Sequence, residues 1–366
     1  MKILCEKSEL LEGIQTVQNV VSQRATLPIL SHILMEAEKK KLQLTATDLE
    51  VGIRCSVEAD VQEEGTITVP GRTISDIVRE VPEGKIEILT EKGNAMTVSC
   101  GKSVFKIMGL PKEEFPKLPE SGGEESFCMP QKTIKELIKK TSFAISRDET
   151  RYALGGILFQ VKKGEITAVA TDGRRLAKLK RQRGKDGKIE KEMILPAKAV
   201  GEINRIMEDI EDEVKVSIGK NEVTFEFNKI IFLARFVKGK FPEYENVIPK
   251  THEIRLCLDR EEFLSAVRRV SLLASEKSNS VKLNLYPKKM VLTASTPELG
   301  EASEEMDVSY DGEEEVMAFN PSYLMDFLRN ETCGEVYFDI VNPVSPAMLR
   351  PKDDENYLYV LMPIKI

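Results

Sequence analysis

Two aspartates in matching surroundings are the side chains of this sequence that could most readily do chemistry. Asp48 and Asp172 lie 124 positions apart, and each follows a threonine at the end of a run of alternating apolar residues. Carboxylates in such places could bind a metal or act as acid and base. A Thr-Asp pair that ends a strand also commonly caps backbone groups in a turn. A further 124 positions lead to Thr296, so the third copy lacks the carboxylate, which favours the structural role.

The other candidates for catalysis carry less weight. The chain has 2 histidines, and one of them, His32, lies in an apolar stretch that is typical of a structural residue. Residues 100–103 read Cys-Gly-Lys-Ser, like the end of a phosphate-binding loop, but Met96 occupies the position where that loop needs a glycine. The 6 cysteines lack metal or disulfide spacing, as expected of thiols in a reducing cytosol. We therefore expect no catalytic residue, no metal site and no cofactor.

Length and composition indicate a globular protein of the cytosol. The 366 residues suit two or three domains, and 31% of them are charged. No apolar run is long enough to span a membrane, and the first residues lack the apolar core of a secretion signal. We expect a cytoplasmic protein that does not bind membranes. The net charge of −7 argues against nucleic-acid binding over every face, but it permits one local basic surface.

The 124-residue interval extends to the predicted helices. In three places an amphipathic helix carries an arginine nine positions after its opening residue, off the apolar stripe. These arginines are Arg79, Arg205 and Arg329. A period this long indicates one domain repeated three times, not a solenoid. We expect domains at 1–122, 123–250 and 251–366, each an α+β unit with two helices on antiparallel sheets.

Basic residues on these helices suggest a further kind of chemistry. Arg72 lies seven positions before Arg79, on the same helical face. Lys198 likewise lies seven positions before Arg205. If equivalent helices point the same way in each repeat, these cations would form one surface that attracts phosphates without reading base sequence. The alternative is the solvated side of ordinary amphipathic helices, and composition leaves both open.

Five longer segments resemble a known family. They are residues 24–30, 46–50, 170–177, 241–244 and 360–366, the third reading Ala-Thr-Asp-Gly-Arg-Arg-Leu-Ala. In this order and across the whole chain they are similar to the bacterial DNA polymerase III beta subunits, the sliding clamps. The resemblance implies the DNA clamp fold, with three domains that join those of a second copy, head to tail, in a ring around double-stranded DNA. It implies a processivity factor without catalytic activity.

The resemblance also implies the partners. They are a second copy of the chain, double-stranded DNA bound without sequence specificity, the replicative DNA polymerase, the clamp loader and other proteins with a clamp-binding motif. By the family pattern, the side chains that approach DNA are Arg24, Arg72, Arg79, Arg147, Tyr152, Lys198 and Arg205. A protein-only interaction scaffold is the alternative, and charge reversal at Arg79 and Arg205 would leave the function of such a scaffold intact.

A second implied site is a groove between the second and third domains that takes short peptides. Its residues from the second domain are Arg151, Leu154, Thr171, Gly173, Arg174, Arg175, Leu176, Pro242 and Val247. Those from the third domain are Asn320, Tyr323, Val344, Val360, Met362 and Pro363. Apolar walls with a few polar groups suit leucine and aromatic anchors of a linear peptide. Asn246, Ser278 and Pro346 depart from the commonest family residues, which leaves the peptide preference open.

The family also pairs an edge strand of the first domain with one of the partner's third domain. The residues implied on the first side are Lys102, Phe105, Lys106 and Met108. Those implied on the other side are Leu272, Leu273, Glu298, Glu301 and Glu304. Opposite charges along such an edge would set the register as well as attract, and pairing would cover strands that otherwise invite aggregation.

Overall fold

The computed structural model describes most of the chain. The described residues are 1–21, 27–91, 93–118, 125–162, 164–183, 189–274, 280–297 and 300–365. Arg24, Ser278 and Glu298, which the sequence analysis singled out, lie outside them. Within the described ranges, no helix has the length and apolar character needed to cross a lipid bilayer.

Six α-helices lie in the described residues, two in each expected repeat. They are α1 (Lys7–Gln18), α2 (Gly71–Glu80), α3 (Gln131–Lys139), α4 (Ala197–Ile206), α5 (Arg260–Val270) and α6 (Pro321–Asn330). Residues three and four apart give these helices one buried stripe, which in α2 includes Ile74 and Val78. The opposite side of each helix is left to polar residues.

The strands recur in a similar order through the chain. The first are β1 (Lys2–Glu6), β2 (His32–Glu38), β3 (Lys41–Thr47), β4 (Val51–Glu58), β5 (Asp60–Glu63), β6 (Gly65–Pro70), β7 (Lys85–Glu91), β8 (Ala95–Cys100) and β9 (Ser103–Met108). Next come β10 (Glu125–Pro130), β11 (Gly156–Lys162), β12 (Glu165–Thr171), β13 (Arg175–Gln182), β14 (Lys191–Pro196), β15 (Glu213–Ile218), β16 (Glu222–Phe227) and β17 (Ile230–Arg235). The last are β18 (Ile254–Asp259), β19 (Val281–Tyr286), β20 (Lys289–Thr296), β21 (Gly300–Asp307), β22 (Glu315–Phe319), β23 (Glu335–Ile340), β24 (Ala347–Pro351) and β25 (Tyr357–Leu361).

The chain divides into two compact units, of which the first comprises Met1–Lys132 and Lys198–Phe236. It contains a five-stranded sheet in the order β5-β1-β7-β8-β9 and an eight-stranded sheet in the order β10-β15-β16-β17-β4-β3-β2-β6. Helix α1 packs closely on β4 because Gly13 has no side chain. A Cβ added there would lie 2.3 Å from Val57 Cγ2.

The second unit comprises Thr133–Ala197 and Val237–Ile366. Its eight-stranded sheet has the order β14-β11-β12-β13-β25-β24-β23-β18, and its four-stranded sheet has the order β21-β20-β19-β22. Strand β13 pairs with the C-terminal strand β25 in antiparallel fashion, which places Leu176 opposite Val360. Residues far apart in sequence thereby become neighbours on one sheet face.

The central repeat contributes to both units. Strand β17 pairs with β4 in the first unit, and β13 pairs with β25 in the second. Each eight-stranded sheet is therefore assembled from two repeats, because a strand edge left by one repeat is completed by a strand of the next. The domain division at 1–122, 123–250 and 251–366 follows the sequence repeat rather than these two units, and it stays a prediction.

Candidate functional site

The Thr-Asp pair of the second repeat builds the turn between β12 and β13. The Thr171 hydroxyl donates to the Arg175 carbonyl oxygen over 2.6 Å and accepts the Gly173 backbone N–H over 3.1 Å. Asp172 Oδ1 accepts the backbone N–H groups of Arg174 and Arg175 at 2.9 and 3.1 Å. Gly173 has a φ of 86°, in the left-handed region that favours glycine. The carboxylate thus stabilises a turn, and the described ranges contain no group of three or more His, Cys, Asp or Glu that could hold a metal ion.

Arg175 connects this turn to two other parts of the second unit. Its Nε donates to Asp172 Oδ2 at 3.0 Å, and its Nη1 donates to Asp326 Oδ2 on α6 at 2.6 Å. Its Nη2 donates to the Phe143 carbonyl oxygen at 2.6 Å. The guanidinium also lies over the Tyr323 ring, 4.3 Å from its centroid. All three nitrogens have an acceptor within the chain, so Arg175 holds the turn against α6 and the backbone at Phe143.

An open cavity of about 140 Å³ lies beside this turn. The predicted groove residues that line it are Leu154, Thr171, Gly173, Arg174, Arg175, Leu176, Pro242, Val247, Val360 and Met362. Leu154, Leu176 and Val360 belong to one buried hydrophobic cluster and form an apolar floor. An apolar floor with a polar turn at its rim is suited to bind the apolar side chains of a ligand and to orient its backbone.

The other predicted groove residues lie outside this lining. They are Arg151, Asn320, Tyr323, Val344 and Pro363. Arg151 is adjacent to the turn, since its Nη1 donates to the Asp172 carbonyl oxygen at 3.3 Å. Tyr323 contacts Arg175, whose guanidinium lies over its ring. These two residues therefore act on the shape of the turn.

The remaining three have other positions in the second unit. Asn320 is the N-cap of α6, because its side-chain oxygen accepts the backbone N–H of Ser322 at 2.9 Å. Val344 is 78% exposed, and Pro363 is partly buried. Asn320 therefore has a structural role that the sequence analysis did not foresee.

Two residues of the lining were missed by the sequence analysis, Glu243 and Tyr244. Tyr244 is buried, and its hydroxyl donates to Gln160 Oε1 at 2.6 Å. Burial, and to a lesser degree the neighbouring carboxylate of Glu245, raises the pKa of Tyr244 to about 12. An aromatic residue two positions after a proline, at the end of a repeat, was the available signal.

The predicted DNA-contacting residues of α2 are exposed. Arg72 Nε lies 4.0 Å from Asp76 Oδ2, and Arg79 Nη1 lies 3.5 Å from Asp76 Oδ1. The side chains of Arg72 and Arg79 are 83% and 52% exposed. Surface ion pairs of this kind contribute little to stability, so both guanidinium groups can exchange their carboxylate for another anion at small cost.

The predicted cations of α4 are held more firmly. Lys198 Nζ forms an ion pair with Asp48 Oδ2. Arg205 Nη2 donates to the Thr16 carbonyl oxygen at 2.8 Å and lies 2.8 Å from Glu202 Oε2. Asp48, a candidate for catalysis by sequence, therefore has a lysine partner within the first unit.

Two further residues of the predicted DNA surface lie in the second unit. Arg147 is exposed, and Tyr152, at the start of a short 3-10 helix, is 74% exposed. Large side chains that project into solvent can contact a ligand without rearrangement of a core. The structure thus leaves both accessible.

Two strands at sheet edges carry the predicted subunit contact. Strand β9 ends the five-stranded sheet and β21 ends the four-stranded sheet. On β9 the side chains of Val104, Phe105 and Met108 are 66%, 36% and 62% exposed. Leu272, after α5, is 75% exposed, and Leu273 is partly buried. Val104 was missed by the sequence analysis, although it lies in the same alternating strand.

Some of the charges expected across this contact already have partners within the chain. Lys106 Nζ lies 2.5 Å from Glu91 Oε2, and Glu304 forms an ion pair with Arg269. Lys102 and Glu301 are exposed. The opposite charges along the two edges are therefore partly neutralised before any second copy arrives.

Models of the DNA polymerase III beta subunit match three consecutive parts of the chain. The model of the N-terminal domain matches residues 1–119, that of the central domain matches 128–243, and that of the C-terminal domain matches 245–365. The three matches follow one another in the same order as the internal repeats.

Known proteins are similar to this chain along its full length. The beta sliding clamp of Chlamydia muridarum is 35% identical over 367 residues, which cover 100% of this chain and 99% of that protein. The beta sliding clamp of Vibrio cholerae is 35% identical over 368 residues, which cover 100% of both. The crystal structure of the DNA polymerase III subunit beta from Pseudomonas aeruginosa matches with a TM-score of 0.96 at 34% identity, over 100% of both chains. The repeated helices and antiparallel sheets are thus those of the three-domain DNA clamp fold, and the chain belongs to the DNA polymerase III beta subunit family, the non-catalytic sliding clamps that act as processivity factors in DNA replication.

Proposed function

We propose that two copies of this chain close head to tail into a ring around double-stranded DNA and hold the replicative DNA polymerase on it. Each copy would contribute the domains 1–122, 123–250 and 251–366. The clamp loader and other proteins with a clamp-binding motif would bind the same peptide site, and the ring would work in the cytoplasm. Since the protein tethers other proteins and catalyses nothing, this function requires no cofactor.

The observation that carries the proposal is the presence of two complementary strand edges in one chain. Strand β9 exposes Val104 and Met108 at the end of one sheet, and β21 exposes Glu301 at the end of another. An exposed edge strand invites pairing with another chain and is a liability unless a partner covers it. Because each copy has one edge of each kind, two copies can satisfy both pairs of edges in a closed assembly.

Apolar packing would supply most of the attraction at this contact. Lys106 and Glu304 are engaged within the chain, so Lys102 and Glu301 are the predicted contact charges within the described ranges that remain to set the register. The exposed side chain of Leu272 is available to pack against the apolar β9 edge. Charges at the rim of such an interface change the rate of association more than its strength.

The proposed DNA surface consists of Arg24, Arg72, Arg79, Arg147, Tyr152, Lys198 and Arg205. Arg72 and Arg79 support it best, because they are exposed and weakly paired. Contacts between such cations and phosphates position DNA but carry no sequence information. A ring with contacts of this kind can slide, because each phosphate site resembles the next.

The cavity beside the turn of β12 and β13 is the proposed peptide site. Its apolar floor of Leu154, Leu176 and Val360 suits an apolar anchor of a linear peptide. Arg175 would keep the rim of the cavity in place, since its guanidinium ties the turn to α6. Partner proteins would thus bind by short segments and could replace one another.

Retention on circular DNA tests encirclement. The protein is loaded onto closed circular duplex DNA by a clamp loader and separated from unbound protein by gel filtration, before and after the DNA is cut once. We expect retention on the circle and loss after cutting, because a ring slides off a free end while a protein bound by affinity does not.

The double substitution Leu272→Ala with Leu273→Ala serves as the control. It should give monomers in light scattering and no retention on either form of DNA, because the apolar contact between copies is lost. Binding that survives the cut with the unaltered protein would contradict encirclement.

A further inference from the structure

Two cations beside the cavity have no carboxylate partner among the described residues. Arg174 lines the cavity, and only its backbone groups make hydrogen bonds there. Lys178 lies on β13. Within the described ranges its side chain makes no hydrogen bond or ion pair, and its one polar contact is a cation–π contact with Tyr244, 5.5 Å from Nζ to the ring centroid. Both cations therefore lie close to the cavity without an ion pair.

Other lysines on the same face of the sheet are paired. Lys180, two residues beyond Lys178 and on the same side of β13, lies 3.3 Å from Glu165 Oε1. Lys162 on β11 lies 2.9 Å from Glu192 Oε1. Lysines on this face of the sheet therefore do have ion-pair partners away from the cavity, whereas Arg174 and Lys178, which lie beside it, have none among the residues that the structure describes.

Lys178 is partly buried, which makes its lack of a partner costly. Burial lowers the pKa of Lys178, the carboxylate of Glu245 raises it, and the charge of Lys180 lowers it further. Lys178 has lost part of its water and gained the Tyr244 ring and the field of Glu245, but no ion pair within the described ranges, so the cost of its burial is only partly offset. An anion that arrives with a ligand would relieve this cost, whereas a neutral ligand would bury the cation further.

The spacing of the two cations fits an extended peptide. Leu176, the apolar floor of the cavity, lies midway between Arg174 and Lys178 in the sequence. Arg174 is the last residue of the turn and Lys178 lies three positions into β13, so about 10 Å of strand and one turn residue separate them, which is the span of a few residues of an extended peptide. An apolar side chain seated on Leu176 would therefore have a cation before it and another after it.

We infer that this cavity selects partner peptides in which acidic residues flank an apolar anchor, and that Arg174 and Lys178 determine this preference. The inference rests on the proposed function, because it takes the cavity as the peptide site. The anchor supplies the apolar contact with Leu176 and Val360. The flanking carboxylates form charge-assisted contacts with the two cations and distinguish acidic partners from neutral ones.

Two labelled peptides test the preference by fluorescence anisotropy. Both have the same centre of leucine and phenylalanine, flanked by two glutamates on each side in one peptide and by two glutamines in the other. We expect the acidic peptide to bind about tenfold more tightly at low ionic strength, from two partly exposed ion pairs. The ratio should shrink as salt is added, because salt screens these charges.

Substitutions locate the preference. Lys178→Gln and Arg174→Gln should each reduce the ratio of the two affinities about threefold, and the double variant should abolish it. Lys180→Gln is the matched control, because Lys180 is already paired with Glu165, and it should leave the ratio unchanged.

Two results would overturn the inference. One is equal affinity of the unaltered protein for both peptides, and the other is a ratio that persists in the double variant. Either leaves the peptide site itself standing. Failure of both peptides to bind the unaltered protein would instead contradict the proposed peptide site, and this inference with it.

Discussion

The turn that follows β3 and the turn that follows β12 are copies of one piece of backbone in different surroundings. The Thr47 hydroxyl donates to the Val51 carbonyl oxygen at 2.8 Å, as the Thr171 hydroxyl does to that of Arg175 at 2.6 Å. The residue two positions after each threonine has a positive φ, 79° at Leu49 and 86° in the second copy. Local hydrogen bonding is therefore the same in both repeats.

The residues that pack next to the two turns differ. Gly52 in the first repeat corresponds to Leu176 in the second, since the two positions are one repeat interval apart. Leu118 packs against Gly52, where an added Cβ would lie 2.7 Å from Leu118 Cδ2. In the second repeat Leu176 and Tyr244 line an open cavity. The space beside the first turn is thus filled by Leu118, whereas the space beside the second turn stays open as the cavity.

The two turn aspartates also have different partners. Asp48 pairs with Lys198 on α4, whose side chain is 42% exposed. Asp172 pairs with Arg175, whose side chain is 10% exposed and continues to Asp326 on α6. Within the described part of the chain, the same turn therefore borders an open cavity only in the second repeat, where the neighbouring residues leave space and Arg175 ties the turn to α6.

The largest expected difference between the two turns concerns their cations. Arg175→Ala should lower the free energy of unfolding by about 3 kcal/mol, because Asp172 Oδ2, Asp326 Oδ2 and the Phe143 carbonyl oxygen all lose the guanidinium that donates to them in a largely buried place. Urea denaturation followed by circular dichroism measures the change. Lys198→Ala is the counterpart in the first repeat and should cost about 1 kcal/mol, because the lysine is only half-buried and Asp48 keeps its two backbone donors. Equal losses would remove the distinction between the two turns.

A second substitution makes the first repeat resemble the second. Gly52→Leu should destabilise the protein by about 1–3 kcal/mol, because the new side chain overlaps Leu118. Denaturation with and without Leu118→Ala in the same chain measures the coupling, and the double variant should recover part of the loss.

The control for this experiment is Gly201→Ala on α4. An added Cβ meets no atom within 4 Å there, so this change should be neutral or stabilising by up to about 1 kcal/mol. If Gly52→Leu changed the free energy of unfolding as little as Gly201→Ala, Leu118 would not be packed firmly against Gly52.

The smallest expected difference concerns the threonines. Thr47→Val and Thr171→Val each remove one hydroxyl that donates to a carbonyl oxygen and accepts a backbone N–H. Each should cost about 1–2 kcal/mol in urea denaturation, and the two values should agree closely because the local bonds match. A clear inequality would show that the surroundings, and not the turn itself, set the energy of these bonds.

Much of the fold was predictable because its signals are local or periodic. The repeat interval, the antiparallel strands and the helices follow from residue patterns, and the three-domain clamp fold and the family are confirmed by the comparisons. The turn at Asp172 was predictable as a structural feature since all its backbone partners lie within three residues. The roles of the DNA, peptide and subunit-contact residues stay predictions.

Other features could not be read from a pattern. Tyr244 entered the cavity lining and Asn320 became a helix cap, although the resemblance treated only the second as a groove residue. Lys106, expected to meet a partner's carboxylate, also has an acceptor in its own chain, Glu91, which the sequence pattern did not indicate. Charged side chains have several partners within reach, and only the packed chain decides between them.

The sequence by itself determined the triplicated α+β units and the turns, because hydrogen bonds among neighbouring residues depend on side-chain type and local backbone geometry. The tertiary structure alone decided which copy of the turn became a cavity. Arg175 reaches Asp326, 151 positions away, and Leu176 meets Val360 of the C-terminal strand. Such contacts arise from how strands of different repeats complete one sheet, and no short stretch of sequence contains that information.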